Sequence, residues 1–348
     1  MARMKIGRLA GTSKTVRIAD NSRNMHTLLV GSSGGGKSFA TVVMAYSAIE
    51  HGNPVIAVDY SGSLHLLDNV DKVNRIKVRE SGIPLSLLTP IKRPDGSEED
   101  VEDIADSIVD IFDDVSALGA RQRAALRRAV LNAYKIGDKD GNEFRAIGRA
   151  LAMDETEPAV STYDRFLNLF TKVKTGKEKK LFEAGKLTII DLSGFSTRTQ
   201  RVIAEMVMAV IWRYFRVWGQ YMERELYIIC DEFQVLSLRE DGVLSQILRE
   251  GRKFHLALTL ATQTLEGFNK SARAVIQQAA TQMFFRPATS EISSVLKWIG
   301  AEKSPEMRKK LETLDIGECI AIGRFDVGGI KVERPVKVTF RTDTSQYI

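Results

Sequence analysis

A glycine-rich stretch near the start of the chain has the residue types and the spacing needed to bind phosphate. The run HTLLVGSSGGGKSFA, from His26 to Ala40, fits the pattern G-x-x-x-x-G-K-S/T, with a strand-like run before it and a helix-like run after it. Glycines let backbone N–H groups curl around phosphates at the positive end of a helix. Lys37 is expected to reach the β- and γ-phosphates, and Ser38 to offer its hydroxyl to Mg²⁺. The alternative is a glycine-rich turn that fits the pattern by chance. The favoured interpretation is an ATP and Mg²⁺ site lined by Gly31, Ser32, Ser33, Gly34, Gly35, Gly36, Lys37, Ser38 and Phe39.

Two later apolar runs end in polar residues suited to ATP hydrolysis. LYIICDEFQ ends in Asp231 and Glu232. Asp231 is expected in the Mg²⁺ shell, and Glu232 is expected to orient and deprotonate the attacking water. LALTLATQ ends in Thr262 and Gln263. Gln263 is expected to contact the γ-phosphate or its water and to report its loss to the next subunit. The alternative for Gln263 is a polar strand end that caps the next helix.

The elements that must position these residues are alternating strands and helices. The strand-like runs are HTLLVG, PVIAVDYSG, KLTIIDLSG, ELYIICDE, LALTLATQ, TQMFFR, GECIAIG and RPVKVTF. Most are separated by amphipathic stretches of helix length, which predicts an α/β fold with a mostly parallel sheet flanked by helices. Ligands bind such sheets at the carboxyl ends of the strands, where DYSG, DLSG, DEFQ and ATQ lie.

One segment, from about Lys92 to Lys180, lacks strand signals and is predicted to be helical. Ser97 is expected to cap a first helix with apolar positions from Val101 to Phe112. A second helix is predicted from Arg121 to Lys135. A third is predicted to start near Ser161 and to carry Phe166, Leu167, Phe170 and Val173 on one side. The first helix is acidic and the second begins with arginines, so the two are expected to pair in cis or between subunits, unless they form a solvated charged surface.

Composition limits the function classes. The 348 residues carry a formal net charge of +6, a mild basic excess that suits an anionic polymer partner without proving one. Cys230 and Cys319 lie in apolar runs without metal-ligand spacing, which favours buried thiols in a reducing compartment. No signal peptide or bilayer-spanning run is present. The expectation is a cytoplasmic protein with no direct membrane insertion.

The motifs GSSGGGKS, DEFQ, GRKFHLALTLATQ and LDIGECIAIG together resemble the HerA/FtsK superfamily of DNA motors, over Lys14 to Arg341. The resemblance implies a RecA-like P-loop core, a homo-hexameric ring and DNA-driven ATP hydrolysis. By the same motifs it assigns phosphate and Mg²⁺ roles to Lys37 and Ser38, Mg²⁺ and water roles to Asp231 and Glu232, and a sensor role to Gln263. An arginine that reaches the neighbouring subunit's phosphate is also implied. The first candidate is Arg252, followed by Arg249, Arg286, Arg121 and Arg123.

The domain organisation predicted on this basis has three parts. Residues 1–24 form a basic N-terminal leader, residues 25–91 and 181–348 form the RecA-like core, and residues 92–180 form the helical insertion. The small β-barrel and the membrane helices that begin many superfamily members are not seen. Ser63 stands where many relatives carry an acidic residue.

Two functions remain open. The first is a ring motor that moves double-stranded DNA and reads no sequence. Its candidate DNA contacts are Lys72, Arg75, Lys77, Lys270 and Arg273, each of which has the alternative of a solvated surface charge. The second is a non-translocating ATP-binding assembly factor that presents a partner nuclease, secretion or packaging component.

Overall fold

The residues that the structure describes form a 13-stranded sheet. The computed structural model describes residues 4–19, 22–62, 64, 72–137, 141–175 and 181–340. The strands are β1 (Lys5–Leu9), β2 (Thr15–Ile18), β3 (Thr27–Val30), β4 (Val55–Asp59), β5 (Val73–Lys77), β6 (Leu187–Asp191), β7 (Leu226–Cys230), β8 (Leu256–Thr262), β9 (Thr281–Phe285), β10 (Glu318–Ile322), β11 (Phe325–Val327), β12 (Ile330–Val332) and β13 (Val336–Thr339). Their order is β12-β11-β2-β1-β13-β10-β9-β3-β8-β7-β4-β6-β5.

One half of the sheet, from β9 to β5, is parallel. Its central strands are fully buried because helices cover both faces. Alternate residues of β4 enter different apolar clusters, with Ile56 and Val58 on one face and Val55 and Ala57 on the other. Near-continuous apolar runs are what such doubly covered strands require. The predicted α/β class is confirmed.

The other half is antiparallel and includes the segment expected to be a basic leader. β1 pairs with β13 and β2, and β2 pairs with β11. Ile6, Val16 and Ile18 are buried in the second apolar cluster. The described part of residues 1–24 therefore belongs to the sheet and is not a separate leader. The leader was predicted from the basic side chains of this segment. The apolar residues that alternate with them form the buried face of the strands.

The helices flank the sheet. They are α1 (Lys37–Glu50), α2 (Val78–Ser81), α3 (Val101–Ser116), α4 (Ala120–Ile136), α5 (Glu143–Met153), α6 (Glu157–Arg165), α7 (Leu167–Lys172), α8 (Thr197–Trp218), α9 (Val243–Glu250), α10 (Lys270–Ile276), α11 (Ile292–Trp298) and α12 (Pro305–Glu312). Helices α2 to α7 lie between β5 and β6 in the sequence. Within the described residues, no helix is long and apolar enough to cross a membrane.

Helices α3 to α7 form the predicted helical segment, with four differences from expectation. Asp100, not Ser97, caps α3, because its side chain accepts a hydrogen bond from the Glu102 backbone N–H. The third predicted helix is interrupted at Phe166, which separates α6 from α7. Phe170 is buried while Leu167 is exposed. Helix α5 packs against α4, α6 and α7 and was not predicted.

The charges of α3 and α4 pair within the chain. Arg123 contacts Asp110 and Asp113 at 2.6 and 2.5 Å, and Arg127 contacts Glu102 and Asp106 at 2.8 and 2.6 Å. The cis alternative is therefore the one observed.

Candidate nucleotide site

The predicted site residues converge at the carboxyl edge of four neighbouring strands. β8 lies between β3 and β7, and β4 lies beyond β7. The phosphate loop follows β3, Gln263 follows β8, Asp231 follows β7, and Asp59 ends β4. Parallel strands bring their carboxyl ends to one edge, so residues far apart in sequence share one site.

The loop from Gly31 to Gly36 is braced by its neighbours. Gly36 has φ 104°, and a Cβ atom there would lie 2.8 Å from the backbone of Gly317. The Gly317 N–H donates to the Gly35 carbonyl at 3.1 Å. The backbone N–H and the hydroxyl of Ser32 both donate to the Arg286 carbonyl, at 3.0 and 2.9 Å. Glycine is required at Gly36 because of both the left-handed conformation and the close approach.

Lys37 begins α1 with its ammonium turned back into the loop. Nζ donates to the carbonyls of Gly31 at 2.7 Å and Ser32 at 3.0 Å, and the residue is 6% exposed. Burial lowers the pKa of Lys37, while the negative charges of Asp231 and Glu232 oppose that shift. A desolvated ammonium gains most from a nearby anion, which is what a bound phosphate supplies. Ser38 follows at the exposed start of α1.

Asp231 and Glu232 lie directly after β7. Burial is the main factor that raises the pKa of Asp231, and the neighbouring Glu232 adds to the rise. Glu232 adopts a left-handed backbone with φ 55°, which is uncommon for a residue other than glycine. Its backbone N–H donates to Asp231 Oδ1 at 3.1 Å.

Two amides hold the Glu232 carboxylate. Gln263 Nε2 donates to Glu232 Oε1 at 2.7 Å, and Gln234 Nε2 donates to Oε2. The structure thus brings Gln263 to the predicted general base. Gln234 was missed by sequence reasoning, although it stands in the same DEFQ motif.

Asp59 is a further acid at this edge of the sheet, and sequence reasoning assigned it no role. It is fully buried and accepts hydrogen bonds from the backbone N–H groups of Gly62 at 2.9 Å and Leu64 at 3.2 Å. Its charge contributes to the raised pKa of Asp231. The signal was present, because Asp59 ends an apolar run just as Asp231 does. Ser63, the other residue considered in this loop, lies outside the described residues.

These residues fit a Mg²⁺ nucleotide. The glycine cradle leaves no room for side chains at Gly36, the Lys37 ammonium is buried within it, and Ser38 and Asp231 supply the oxygen donors that Mg²⁺ prefers. Residues 9–335 match the family described as AAA-like domain.

The chain belongs to the AAA-like domain family. The DNA double-strand break repair helicase HerA of Saccharolobus solfataricus is 20% identical and is matched over 96% of this chain and 68% of its own length. The HerA helicase of Sulfolobus acidocaldarius is 19% identical, over 92% and 66%. The chain therefore spans about two thirds of the length of these relatives.

Solved structures show the same fold. VirB4 of Thermoanaerobacter pseudethanolicus superposes with a TM-score of 0.73 at 13% identity, over 99% of this chain and 98% of that one. The bacterial conjugative coupling protein TrwB, lacking its N-terminal 70 residues, gives 0.69 at 15% identity, over 98% and 89%. Together with the match to the AAA-like domain family and the similarity to HerA, this confirms the predicted HerA/FtsK-type P-loop ATPase.

Arg252, the first arginine candidate of the AAA-like domain, lies apart from its own phosphate loop. Arg252 precedes β8, at the amino edge of the parallel strands, and β8 extends over 7 residues to the opposite edge. Its Nη1 donates to the Arg23 carbonyl at 2.6 Å. A cleft of about 450 Å³ is lined there by Arg23, Arg249, Arg252 and Lys253, among others. The structure does not bring Arg252 to Lys37 within one chain.

Two of the other arginine candidates have side-chain partners within the chain. Arg249 contacts Glu240 at 3.0 Å, and Arg123 is paired with α3. Arg286 follows β9, and its carbonyl braces the phosphate loop. Arg121 lies exposed in the first turn of α4.

The structure contradicts one candidate DNA contact and leaves others at the surface. Arg75 lies within β5 and binds Asp59 at 3.2 Å and Asp191 at 3.1 Å, with only 13% of its side chain exposed. Lys77 pairs with Glu80 at 3.4 Å. Lys72 and Lys270 are exposed, whereas Arg273 donates to the Phe268 carbonyl at 3.0 Å. Arg75 is thus a structural cation that holds two strand ends together.

Proposed function

We propose that this AAA-like ATPase is a ring-shaped motor that hydrolyses ATP and moves double-stranded DNA without reading its sequence. The observation that carries the proposal is the convergence of Lys37, Asp231, Glu232 and Gln263 at one edge of the sheet. The chain shares its fold with TrwB and is similar in sequence to HerA. DNA handling comes from the names of those relatives, a repair helicase and a conjugative coupling protein. Non-specific binding follows if exposed cations such as Lys72 and Lys270 contact phosphates.

ATP and Mg²⁺ are the cofactors that the site fits. TrwB has been solved with an ATP analogue and with ADP and Mg²⁺. Here Lys37 and the loop N–H groups would bind the phosphates, and Ser38 and Asp231 would hold the metal. When bound, Mg²⁺ neutralises charge that develops on the phosphates. Glu232 accepts the proton of the attacking water, and Gln263 orients the Glu232 carboxylate through the contact described above.

A shared active site between subunits is part of the proposal. The basic cleft around Arg252 lies at the sheet edge opposite the phosphate loop, so Arg252 is placed to act on a neighbour in a homo-hexamer. For the predicted division into a core of residues 25–91 and 181–348 and a helical part of residues 92–180, we also propose that the helical part is an insertion in the sheet-forming core, since α3 to α7 connect β5 to β6.

The first prediction tests the site with two matched variants. Lys37→Ala is expected to lower Mg²⁺-dependent ATP turnover at least about a hundredfold through lost charge stabilisation. Glu232→Gln is expected to retain binding of an ATP analogue and to hydrolyse poorly, because the amide keeps the shape and loses the base. Turnover and analogue binding are measured on the same purified proteins. Normal turnover in either variant would remove that residue from its role.

The second prediction separates the motor from an assembly factor that binds ATP and presents a nuclease, secretion or packaging partner. A motor is expected to hydrolyse ATP several-fold faster with long double-stranded DNA, independently of base composition, and less so as salt rises. The measurement is steady-state turnover against DNA length, sequence and salt. Turnover that is unaffected by DNA would favour the assembly factor.

A further inference from the structure

One carboxylate of the helical insertion holds the segment that follows Glu232. Asp114 lies in the last turn of α3. Its Oδ2 accepts a hydrogen bond from the Ser237 hydroxyl at 2.8 Å, and its Oδ1 contacts Arg239 Nη1 at 2.5 Å. A single side chain of the insertion therefore binds two residues of the core loop between β7 and α9.

Asp114 differs from the acids that precede it on α3. Asp110 and Asp113 pair with Arg123 of α4, so their contacts stay within the insertion. The Asp114 side chain is 11% exposed, compared with 61% for Asp110. Asp114 thus faces the core, where its contacts join two structural units.

The loop is also fixed from the core side. The Ser237 backbone N–H donates to a carboxylate oxygen of Glu205, a buried residue of α8. Phe233 is fully buried and stacks on Phe268, with ring centroids 5.7 Å apart. Between these anchors the chain makes one short turn, in which the Leu236 N–H donates to the Phe233 carbonyl at 2.9 Å.

This turn begins at Glu232, whose left-handed backbone needs support. For a residue with a Cβ atom, that conformation is unfavourable and persists only where the surroundings fix it. β7 fixes the chain before Glu232. After Glu232, the side-chain hydrogen bonds from this loop to α3 are those of Ser237 and Arg239 with Asp114.

We propose that Asp114 is a positioning residue that acts through Ser237 and Arg239 to fix the backbone presenting Glu232, and so links the position of α3 to ATP hydrolysis. This inference rests on the role of Glu232 proposed above. An ion pair as exposed as that of Arg239, which is 53% exposed, contributes little to folding because water screens it. Its loss is therefore expected to change the loop and not the fold.

The test compares Asp114→Ala with Asp110→Ala, a matched change of charge one turn earlier on the same helix. Asp114→Ala is expected to lower kcat roughly tenfold, as expected when a catalytic group is misplaced, while the KM for ATP and the Kd of an ATP analogue stay within about twofold of wild type. Asp110→Ala is expected to match wild type in all three. A purely structural defect would instead change nucleotide binding together with kcat.

A second arm identifies the route. If Asp114 acts through its two partners, the double variant Ser237→Ala/Arg239→Ala reproduces the low kcat, and adding Asp114→Ala lowers it no further. The double variant also provides the test if Asp114→Ala fails to fold. Equal kcat in the Asp114 and Asp110 variants, or full additivity in the triple variant, would overturn the inference. Absence of turnover in the wild type would instead overturn the proposed function.

Discussion

Lys37, Asp231 and Glu232 carry opposite charges in a partly desolvated site. Burial lowers the pKa of Lys37 and raises that of Asp231, whereas the attraction between them acts in the reverse direction on both. Charged groups withdrawn from water interact strongly with whatever ion enters. We therefore expect Lys37 to exchange its contacts with the Gly31 and Ser32 carbonyls for phosphate oxygens when a nucleotide binds.

A buried acid away from this site gives a prediction about pH. Glu205 is 3% exposed, and burial raises its pKa to about 7, against the opposing effects of the Ser237 N–H and Arg201 and with a further rise from Asp114. A carboxyl whose pKa is raised by folding contributes most to the stability of the folded state below its unfolded pKa, which is 4.5 for Glu205. This contribution is lost as pH rises through the folded pKa of about 7.

Glu205→Gln removes the titration and keeps an acceptor for the Ser237 N–H. Relative to this variant, wild type is expected to lose on the order of 3 kcal/mol of unfolding free energy between about pH 4 and about pH 8. Denaturant unfolding of both proteins at the two pH values measures the difference. Parallel pH curves for the two proteins would show that Glu205 does not titrate in this range.

Residue roles could be predicted where the chemistry is contiguous in sequence. The phosphate loop is one continuous stretch, so Lys37 and Ser38 could be placed from spacing alone. Arg75 could not, because its partners Asp59 and Asp191 meet it only through strand order. The contacts of Asp114 with Ser237 and Arg239 join residues more than 100 positions apart and leave no local pattern.

At the scale of elements, the continuous buried strands were recognised, whereas several short or mixed strands were not. β4, β6 and β7 are continuous apolar runs with every residue buried. β5, β11 and β12 are short or mixed, and β12 is mostly exposed, so their strand character comes from pairing with neighbours. Sequence periodicity detects burial, and it fails where hydrogen bonding to a sheet edge decides the conformation.

The insertion illustrates which contacts stabilise an element. Arg127 bridges two acids of α3, but all three side chains are at least 35% exposed. Such exposed pairs contribute little to stability, because water and salt screen them. Phe112, by contrast, is fully buried and packs against the rings of Phe166 and Phe170. Truncating such a side chain costs about 3–5 kcal/mol of stability. The apolar side of α3 therefore holds the helix in place, while its acids pair with the arginines of α4.

At the scale of the whole molecule, the phosphate loop and the basic cleft around Arg252 lie at opposite edges of the sheet. The phosphate loop lies at the carboxyl edge and the basic cleft around Arg252 at the amino edge, about 20 Å apart along β8. One chain cannot bring these edges together. A ring in which each subunit turns its amino edge toward the next subunit's phosphate loop would join them.

This geometry predicts rescue between two inactive variants. Lys37→Ala destroys the site and keeps the arginine, while Arg252→Ala keeps the site and destroys the arginine. In an equal mixture of subunits, roughly a quarter of the interfaces pair an intact site with an intact arginine, so turnover is expected to return to about that fraction of wild type. The measurement is ATP turnover after the two proteins are mixed and reassembled with DNA.

The control for rescue is a mixture of Lys37→Ala with Glu232→Gln. Both changes fall in the same subunit's site, so no interface regains a complete set and turnover is expected to stay low. Light scattering with an ATP analogue and DNA gives the assembly mass for each mixture. A protein that stays monomeric under these conditions would contradict the ring and the translocation mechanism with it. A ring without rescue would retain the motor and transfer the arginine role from Arg252 to Arg249, Arg286 or the helical insertion, because the charge that develops on the phosphates still requires a cation.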